Sequence, residues 1–251
     1  MAGGLAGTLV AGIPDGLDIG CGGEPTEAAT SEGSFDGDAE VVLDFSCGDL
    51  AVSTAAGSAW SVEARHGGDN EPQITADGDS LRVSVEGGGF IPFTEDSRQE
   101  WEVVLPRETT LDLTVDANAA SSELELAGAD LSSLVIDANA GDVNVGLAGA
   151  RIADLGIDAN AGSLSIVADA STSLVGTVEM NAGSLDLCAP DGAVVAITIE
   201  EANVTFSHNL DDLGLTRQGD TWLTGEGDAD ISLAIDGNAA SFSLNPEGGC
   251  E

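Results

Sequence analysis

A triplet of aspartate, alanine and asparagine, or a close variant of it, recurs along this chain and offers the most regular set of ligand-type side chains. Its asparagines stand 21 residues apart, at Asn118, Asn139, Asn160 and Asn181. Carboxylate oxygens suit Ca²⁺, so the aspartates of the triplets are candidate calcium ligands, namely Asp116, Asp137 and Asp158. Stacked asparagine amides can instead satisfy one another and the backbone of a bend. Calcium-binding solenoid repeats are glycine-paired nonapeptides, a pattern absent here, so we favour a structural ladder with at most weakly bound Ca²⁺.

The side chains that catalysis usually requires are scarce. His66 stands in the polar stretch ARHGGDN, where we expect it to be solvated, and His208 stands at a predicted strand end, where we expect a structural role. The sequence contains no G-x-S-x-G nucleophile motif, no phosphate-binding G-x-x-x-x-G-K motif and no lysine. A polysaccharide-active enzyme with two catalytic carboxylates is a remote alternative, and only Trp60, Trp101 and Trp222 could serve as sugar platforms. We predict no catalytic residue and no cofactor.

The charge of the chain limits its partners. The 45 acidic and 6 basic residues give a formal net charge of -39. Nucleic acid is excluded because phosphate binding needs clustered Lys or Arg, and anionic membrane surfaces are disfavoured for the same reason. Self-repulsion weakens a compact fold at low ionic strength, whereas about 1 M salt shortens the screening length to about 3 Å. The charge therefore indicates a salt-adapted organism or a surface protein bathed in divalent cations, with codon bias as the alternative origin.

Four cysteines without a C-x-x-C pair favour disulfides over a zinc site, and hence an extracytoplasmic location. We predict that Cys21 pairs with Cys47 and Cys188 with Cys250, and the two other pairings stay open. A second interpretation makes Cys21 the acylated residue of a lipoprotein site in GLDIGCGG, where Asp18 departs from the usual apolar residue. The opening MAGGLAGTLVAGIP is too short to span a bilayer, and we take it as the remnant of an export segment or membrane anchor.

The 21-residue repeat predicts the elements that position these side chains. Each copy has two runs of alternating apolar and polar residues around a bend, as half-buried strands require. Such a coil cannot bury its own apolar face, so successive coils should stack about 4.8 Å apart and align like residues. One predicted ladder contains Val115, Ile136, Ile157 and Val178, and the other contains Leu124, Val145, Ile166 and Leu187. The predicted fold class is all-β, a β-solenoid with a capping hairpin.

Glycine is expected at the tight corner of each coil, where it permits a positive φ. The corner glycines are Gly141, Gly162 and Gly183. Two upstream segments resemble further copies: VVLDFSCGDLAV, with Leu43 and Gly48 in register, and ITADGDSLRVSV, which matches more loosely through Gly78. A last copy, IDGNAASFSL, carries Asn238.

The segments in which the repeat is present, irregular or absent define the predicted domain organisation. Residues 1–38 are predicted to be an N-terminal apolar segment and an acidic Gly/Ser/Thr linker, and residues 39–251 a single solenoid domain. That domain divides into irregular coils (39–108), regular repeats (109–208), a hairpin excursion (209–230) and a last coil (231–251). We expect the excursion to fold over the end of the solenoid and shield the edge of its last coil. The non-repetitive stretch 87–101 is either a cap or an exposed contact patch.

Several phrases carry a resemblance to a known family. The recurring NAG phrase, LPRETTLDLTV (105–115), NAGSLDLCAP and the closing cysteine resemble the adhesin-like "toast-rack" domains of bacterial and archaeal envelope proteins. The resemblance covers about residues 40–251 and implies a β-solenoid without established catalytic residues. Related domains form the C-terminal parts of membrane-bound regulators of cell-wall stress, but the run of transmembrane helices of that subtype is not predicted in this chain.

These observations lead to an expected role. We expect a non-catalytic, extracytoplasmic structural or interaction module at the cell surface or envelope. Its partners would be other proteins, or copies of itself that stack through the exposed edges of the end coils, and it would reach a membrane only through an N-terminal anchor. The alternative is an envelope sensor whose acidic face binds divalent cations or cationic peptides.

Overall fold

The computed structural model describes residues 22–67, 70–85, 98–202 and 205–246, which form seventeen β-strands and one 3-10 helix, Leu210–Leu213. The first nine strands are β1 (Glu27–Ser34), β2 (Ala39–Phe45), β3 (Gly48–Ala55), β4 (Ala59–His66), β5 (Pro72–Asp77), β6 (Ser80–Val85), β7 (Gln99–Pro106), β8 (Thr110–Glu125) and β9 (Asp130–Gly146). The others are β10 (Arg151–Ala159), β11 (Ser163–Val167), β12 (Ser173–Cys188), β13 (Val195–Ala202), β14 (Ser207–His208), β15 (Thr216–Gln218), β16 (Thr221–Leu223) and β17 (Ile231–Leu244). The predicted all-β class is confirmed. No described helix is long and apolar enough to cross a membrane.

The strands build a solenoid with two walls of mainly parallel strands, which meet at a corner of each coil. Wall 1 stacks, in spatial order, β6, β2, the first halves of β8 and β9, β10, the first halves of β12 and β17, and β13. Wall 2 stacks β7, β3, the second halves of β8 and β9, β11, the second halves of β12 and β17, and β14. The long strands β8, β9, β12 and β17 therefore bend from one wall into the other.

Both predicted aliphatic ladders are confirmed. In wall 1 Ile136 lies between Val115 and Ile157, and Ile157 is followed by Val178. In wall 2 the order is Leu124, Val145, Ile166 and Leu187. All eight side chains are buried in one apolar core. The alternation of apolar and polar residues within each coil, together with the repetition of that pattern from coil to coil, therefore produces the apolar interior.

Glycine occurs at the corner of three coils for a steric reason as well as a conformational one. Gly141, Gly162 and Gly183 have φ values of 123°, 129° and 119°, a region that L side chains rarely adopt. A Cβ on any of them would overlap the carbonyl oxygen of the corner residue one coil earlier. Two coils have alanine in register with these glycines, Ala120 in β8 and Ala240 in β17, and the corner of β8 has Ala119 at φ 73°. Where the corner residue has a positive φ and lies directly on the backbone of the preceding coil, close stacking therefore requires glycine.

The order of coils departs from the prediction at the C-terminal end. The last coil in sequence, β17, is not last in space, because it lies between β12 on one side and β13 and β14 on the other. The predicted hairpin exists as β15 and β16, but it pairs with β13 and so covers the edge of that coil. Insertion gives β17 backbone partners on both sides, which an end position would not provide.

The N-terminal end shows the same inversion. The coil of β2 and β3 lies between β8 and the later strands β6 and β7. The resemblance of VVLDFSCGDLAV to the repeat is confirmed, since Leu43 lies beside Val115. The ITADGDSLRVSV copy is wrong, because β5 and β6 form an antiparallel hairpin around Gly78, whose φ is 58°. Asp-Gly is a strong hairpin turn signal, and here it outweighs the repeat.

The predicted linker contains a strand. Within residues 1–38, β1 pairs with β4 along its whole length in antiparallel register. β4 in turn pairs with β7, also in antiparallel register, so β4 and β1 extend wall 2 beyond β7. Of the stretch 87–101, residues 87–97 lie outside the described residues, and Gln99 and Trp101 are buried in β7.

Candidate functional site

The repeat brings six carboxylates into a single row on the outer side of wall 1, next to the corner. We call this set the acidic row: Asp44, Asp116, Asp137, Asp158, Glu179 and Asp236. Each residue lies on its own strand, so neighbouring Cα atoms are about 4.8 Å apart. Asp158 and Glu179 are exposed and the others are half-buried. The row therefore presents one negative charge per coil over six consecutive coils.

An asparagine column runs along the corner beside the acidic row. Asn139 donates to the side-chain oxygen of Asn118, Asn160 donates to that of Asn139 at 2.9 Å, and Asn181 donates to that of Asn160 at 2.9 Å. Asn238 continues the column by donating to Asn181 at 3.1 Å. The structure thus brings together all four asparagines that the sequence singled out, and each amide orients the next.

The acidic row has little compensating charge. Among the described residues, the ion pairs join Arg65 to Glu100 at 2.6 Å, Arg98 to Asp49 at 2.5 Å and to Glu100 at 4.0 Å, and Arg217 to Asp220 at 3.8 Å. None of these pairs includes a member of the row. Burial raises the pKa of Asp116 above its usual value, and repulsion from Asp137 and Asp44 adds to the rise, while Arg82 opposes it. Asp116 therefore holds its charge against both desolvation and like-charged neighbours.

We expect Asp116→Asn to raise the melting temperature at pH 7 and low salt. A carboxyl whose pKa is raised by folding weakens the folded state at a pH above that pKa, because its charged form is disfavoured there. The penalty shrinks as pH falls through the raised pKa, and it vanishes below the ordinary value of 3.8. Thermal melts of the variant and the parent from pH 7 to pH 3 should therefore converge as the pH falls.

Asp154→Asn is the matched control for this prediction, since Asp154 is exposed and outside the acidic row. It removes the same formal charge and should change the melting temperature less. An equal gain from both substitutions would show that net charge alone is responsible, and would contradict a local origin in the row.

The calcium candidates are brought together, though not as a cage. Asp116, Asp137 and Asp158 lie on three adjacent strands. Among the described residues no group of three or more His, Cys, Asp or Glu side chains is placed to hold a metal ion. A row on parallel strands spaces its carboxylates evenly, whereas Ca²⁺ requires six to eight oxygens converging at about 2.3–2.6 Å.

The histidines and tryptophans are structural in their placement. The expected solvation of His66 is wrong, because it ends β4 with its side chain turned inward and buried. His208 ends β14 and packs against the Trp222 ring at 5.0 Å between centroids. Trp60, Trp101 and Trp222 are all buried, so none of them offers an exposed face for a sugar ring. The alternation of buried and exposed residues along β4 places His66 on the inner side. The prediction missed this because it relied on the polar residues that flank His66.

The cysteines divide between described and undescribed residues. Cys47 lies at the corner between β2 and β3, and Cys188 ends β12. No described cysteine is a free thiol. The partners predicted for them, Cys21 and Cys250, lie outside the described residues, so the pairings stay predictions.

Sequence reasoning missed half of the acidic row. Glu179 and Asp236 stand two residues before Asn181 and Asn238, the same offset as Asp116 from Asn118. Aligning every copy on its corner would therefore have found them. Asp44 was harder to find, because its coil has Ser46 where the others have asparagine.

Comparisons with known proteins show which family and which solved structures the chain is similar to. Residues 25–167 match the family model described as the N-terminal domain of toast_rack, DUF2154. A candidate cell adhesion protein from Clostridium sporogenes has a similar solved structure, with a TM-score of 0.55, 12% identity, and coverage of 88% of this chain and 99% of that one. A candidate adhesin from Bacteroides fragilis covers 88% of this chain and 98% of its own at 12% identity, with a TM-score of only 0.29. No curated protein matches the chain.

Proposed function

The chain belongs to the toast-rack family, and we propose that it serves as a non-catalytic module of the cell surface or envelope that binds cationic segments of other proteins. Membership rests on a family match over residues 25–167. The adhesion-related description of the Clostridium sporogenes protein, which shares the fold, supports a surface role. The binding role rests on one observation, the acidic row along the outside of wall 1, whose members take part in none of the described ion pairs.

The geometry of the row favours an extended cationic peptide over a single metal ion. Carboxylates spaced about 4.8 Å apart along a flat wall do not surround one ion with the six to eight oxygens that Ca²⁺ takes. An extended peptide presents every second side chain on one side, at about 6.6 Å intervals. Flexible Arg and Lys side chains can adjust to the difference between these two spacings. The formal net charge of -39 adds long-range attraction that speeds encounter with such a segment.

Neutralising the centre of the row tests this proposal. We expect the triple variant Asp116→Asn, Asp137→Asn, Asp158→Asn to bind a short oligoarginine peptide about tenfold more weakly than the parent. Each exposed ion pair contributes about 0.5 kcal/mol, so three lost pairs account for about 1.5 kcal/mol, or one decade in Kd. Isothermal titration calorimetry at low and high salt measures the change, and binding should weaken with salt in every case.

A second triple variant controls for net charge. Asp130→Asn, Asp154→Asn, Asp191→Asn removes the same charge from exposed positions outside the row, and its affinity should stay within about threefold of the parent. Equal weakening in the two triples would mean that the peptide senses only the total charge. That result would remove the row as the binding site.

A further inference from the structure

The position of β17 suggests a second kind of interaction, independent of the acidic row. β12 and β13 follow each other in sequence, yet they do not pair, because β17 fills the space between them. We call this space the slot. Its occupant buries Ile231, Leu233 and Ile235 in wall 1, and Phe242 and Leu244 in wall 2. The slot is therefore filled by the last described strand, and it is lined on both sides by earlier segments.

The residues of β12 and β13 that flank β17 are separated along the sequence by the same number of residues as those of directly stacked coils. Val178 and Ile199 both face Ile235, and Leu174 and Val195 both face Ile231. Each of these flanking pairs is 21 residues apart, the same separation as Ile136 and Ile157, which lie on adjacent strands. The connection between β12 and β13 has six residues, against four or five between directly stacked coils. β17 is thus an insertion into a stack whose repeat would continue without it.

The segment that delivers β17 is short and rich in glycine. Residues 224–230, here called the hinge, join β16 outside β13 to β17 inside it. The two ends of the hinge are fixed to the same place: Thr224 donates its backbone N–H to Val195 at 3.1 Å, and Asp230 donates its own to Val194 at 2.8 Å. Between these anchors lie Gly225 and Gly227, the latter at φ 115°. The hinge therefore passes around the start of β13. Its length decides whether β17 can reach the slot in its own chain.

We propose that the slot accepts β17 from a second copy of this chain, so that two copies exchange their last coils. An exchanged strand would make the same ladders with β12 and β13 as the resident strand, since slot and strand are identical in each copy. Only the path of the hinge would differ. Antiparallel strands form the outer edges of both walls at one end, β5 in wall 1 and β1 in wall 2, and the outer edge of wall 1 at the other end, β15. Wall 2 ends there in the two-residue strand β14, so the slot offers a longer and more specific run of backbone partners than the open edge of a coil.

Shortening the hinge tests the proposal in the full chain. Deleting residues 225–229 leaves Thr224 and Asp230, which with their neighbours reach about 10 Å. The hinge must cover two strand spacings, about 9.6 Å, and also pass around β13. Intramolecular insertion is therefore blocked, and the variant should form a dimer of twice the 25.0 kDa mass of one chain. Size-exclusion chromatography with light scattering, after refolding with thiols reduced, measures the mass.

Two further variants make the result decisive. Adding five Gly and Ser residues to the hinge should leave a monomer, because β17 can then return easily. Combining the deletion with Ile235→Asp should abolish the dimer, because a buried charge prevents β17 from entering either slot. The proposal fails if the shortened chain is monomeric, or if the dimer persists with Ile235→Asp, since exchange of β17 would then not be what holds the copies together.

Discussion

Gly162→Ala should destabilise the solenoid by about 3 kcal/mol or more, the sum of an unfavourable φ and an overpacked contact. Gly162 has φ 129°, and an added Cβ would overlap the carbonyl oxygen of Gly141 in the preceding coil. That oxygen belongs to the backbone, so relieving the overlap would require two coils to move apart. Urea unfolding followed by circular dichroism would measure the loss of unfolding free energy.

Gly156→Ala provides the matched control, since it adds the same methyl group to the same coil. Gly156 lies in β10 with nothing near the position of its Cβ, so the substitution should change the free energy of unfolding by less than about 1 kcal/mol. Similar losses at Gly156 and Gly162 would mean that the corner is not closely stacked. The explanation of the glycine repeat would then be wrong.

Ile136→Ala should cost about 4 kcal/mol of unfolding free energy, within the usual range for a fully buried large-to-small change. Ile136 is fully buried between Val115 and Ile157 in the wall 1 ladder. Neighbouring coils cannot close the cavity, because their spacing is fixed by backbone hydrogen bonds on both sides. The same urea titrations would measure this loss.

The adjacent residue controls for the loss of β-branched propensity. Val135 precedes Ile136 in β9, points to the outside of wall 1 and is half-buried. Val135→Ala should therefore cost less than about 1 kcal/mol. A larger loss at Val135 than at Ile136 would place the core on the opposite side of the wall and contradict the assigned register.

The regular coils in the middle of the solenoid could be predicted because the same pattern of apolar residues recurs in each of them at the same interval. Val115, Ile136, Ile157 and Val178 stand at a constant interval, and a strand period of two leaves one choice for the inward side. The same regularity predicted the asparagine column and the glycine corners. Every coil repeats the same alternation at the same interval, so the pattern within one coil and the contacts between coils predict the same register.

The ends were not predictable from the repeat, for a physical reason. A strand with the right alternation fits equally well beside any coil, so the sequence of β17 does not reveal whether it lies beyond β13 or inside it. The choice depends on the paths of the connections at 189–194 and 224–230, which carry no periodic signal. The acidic row was found only in part for a related reason, since Asp44 lies in a coil whose corner has no asparagine.

The most direct measurement is a methyl–methyl NOE spectrum of the protein labelled at its Ile, Leu and Val methyl groups. Cross peaks should connect Ile136 to Val115 and to Ile157, and should connect Ile235 both to Val178 and to Ile199, because these side chains occupy successive rungs of one ladder. Cross peaks from Val178 to Ile199, with none from Ile235 to Val178, would place β17 outside the stack. The lack of any peak between Ile136 and Ile157 would contradict the solenoid itself.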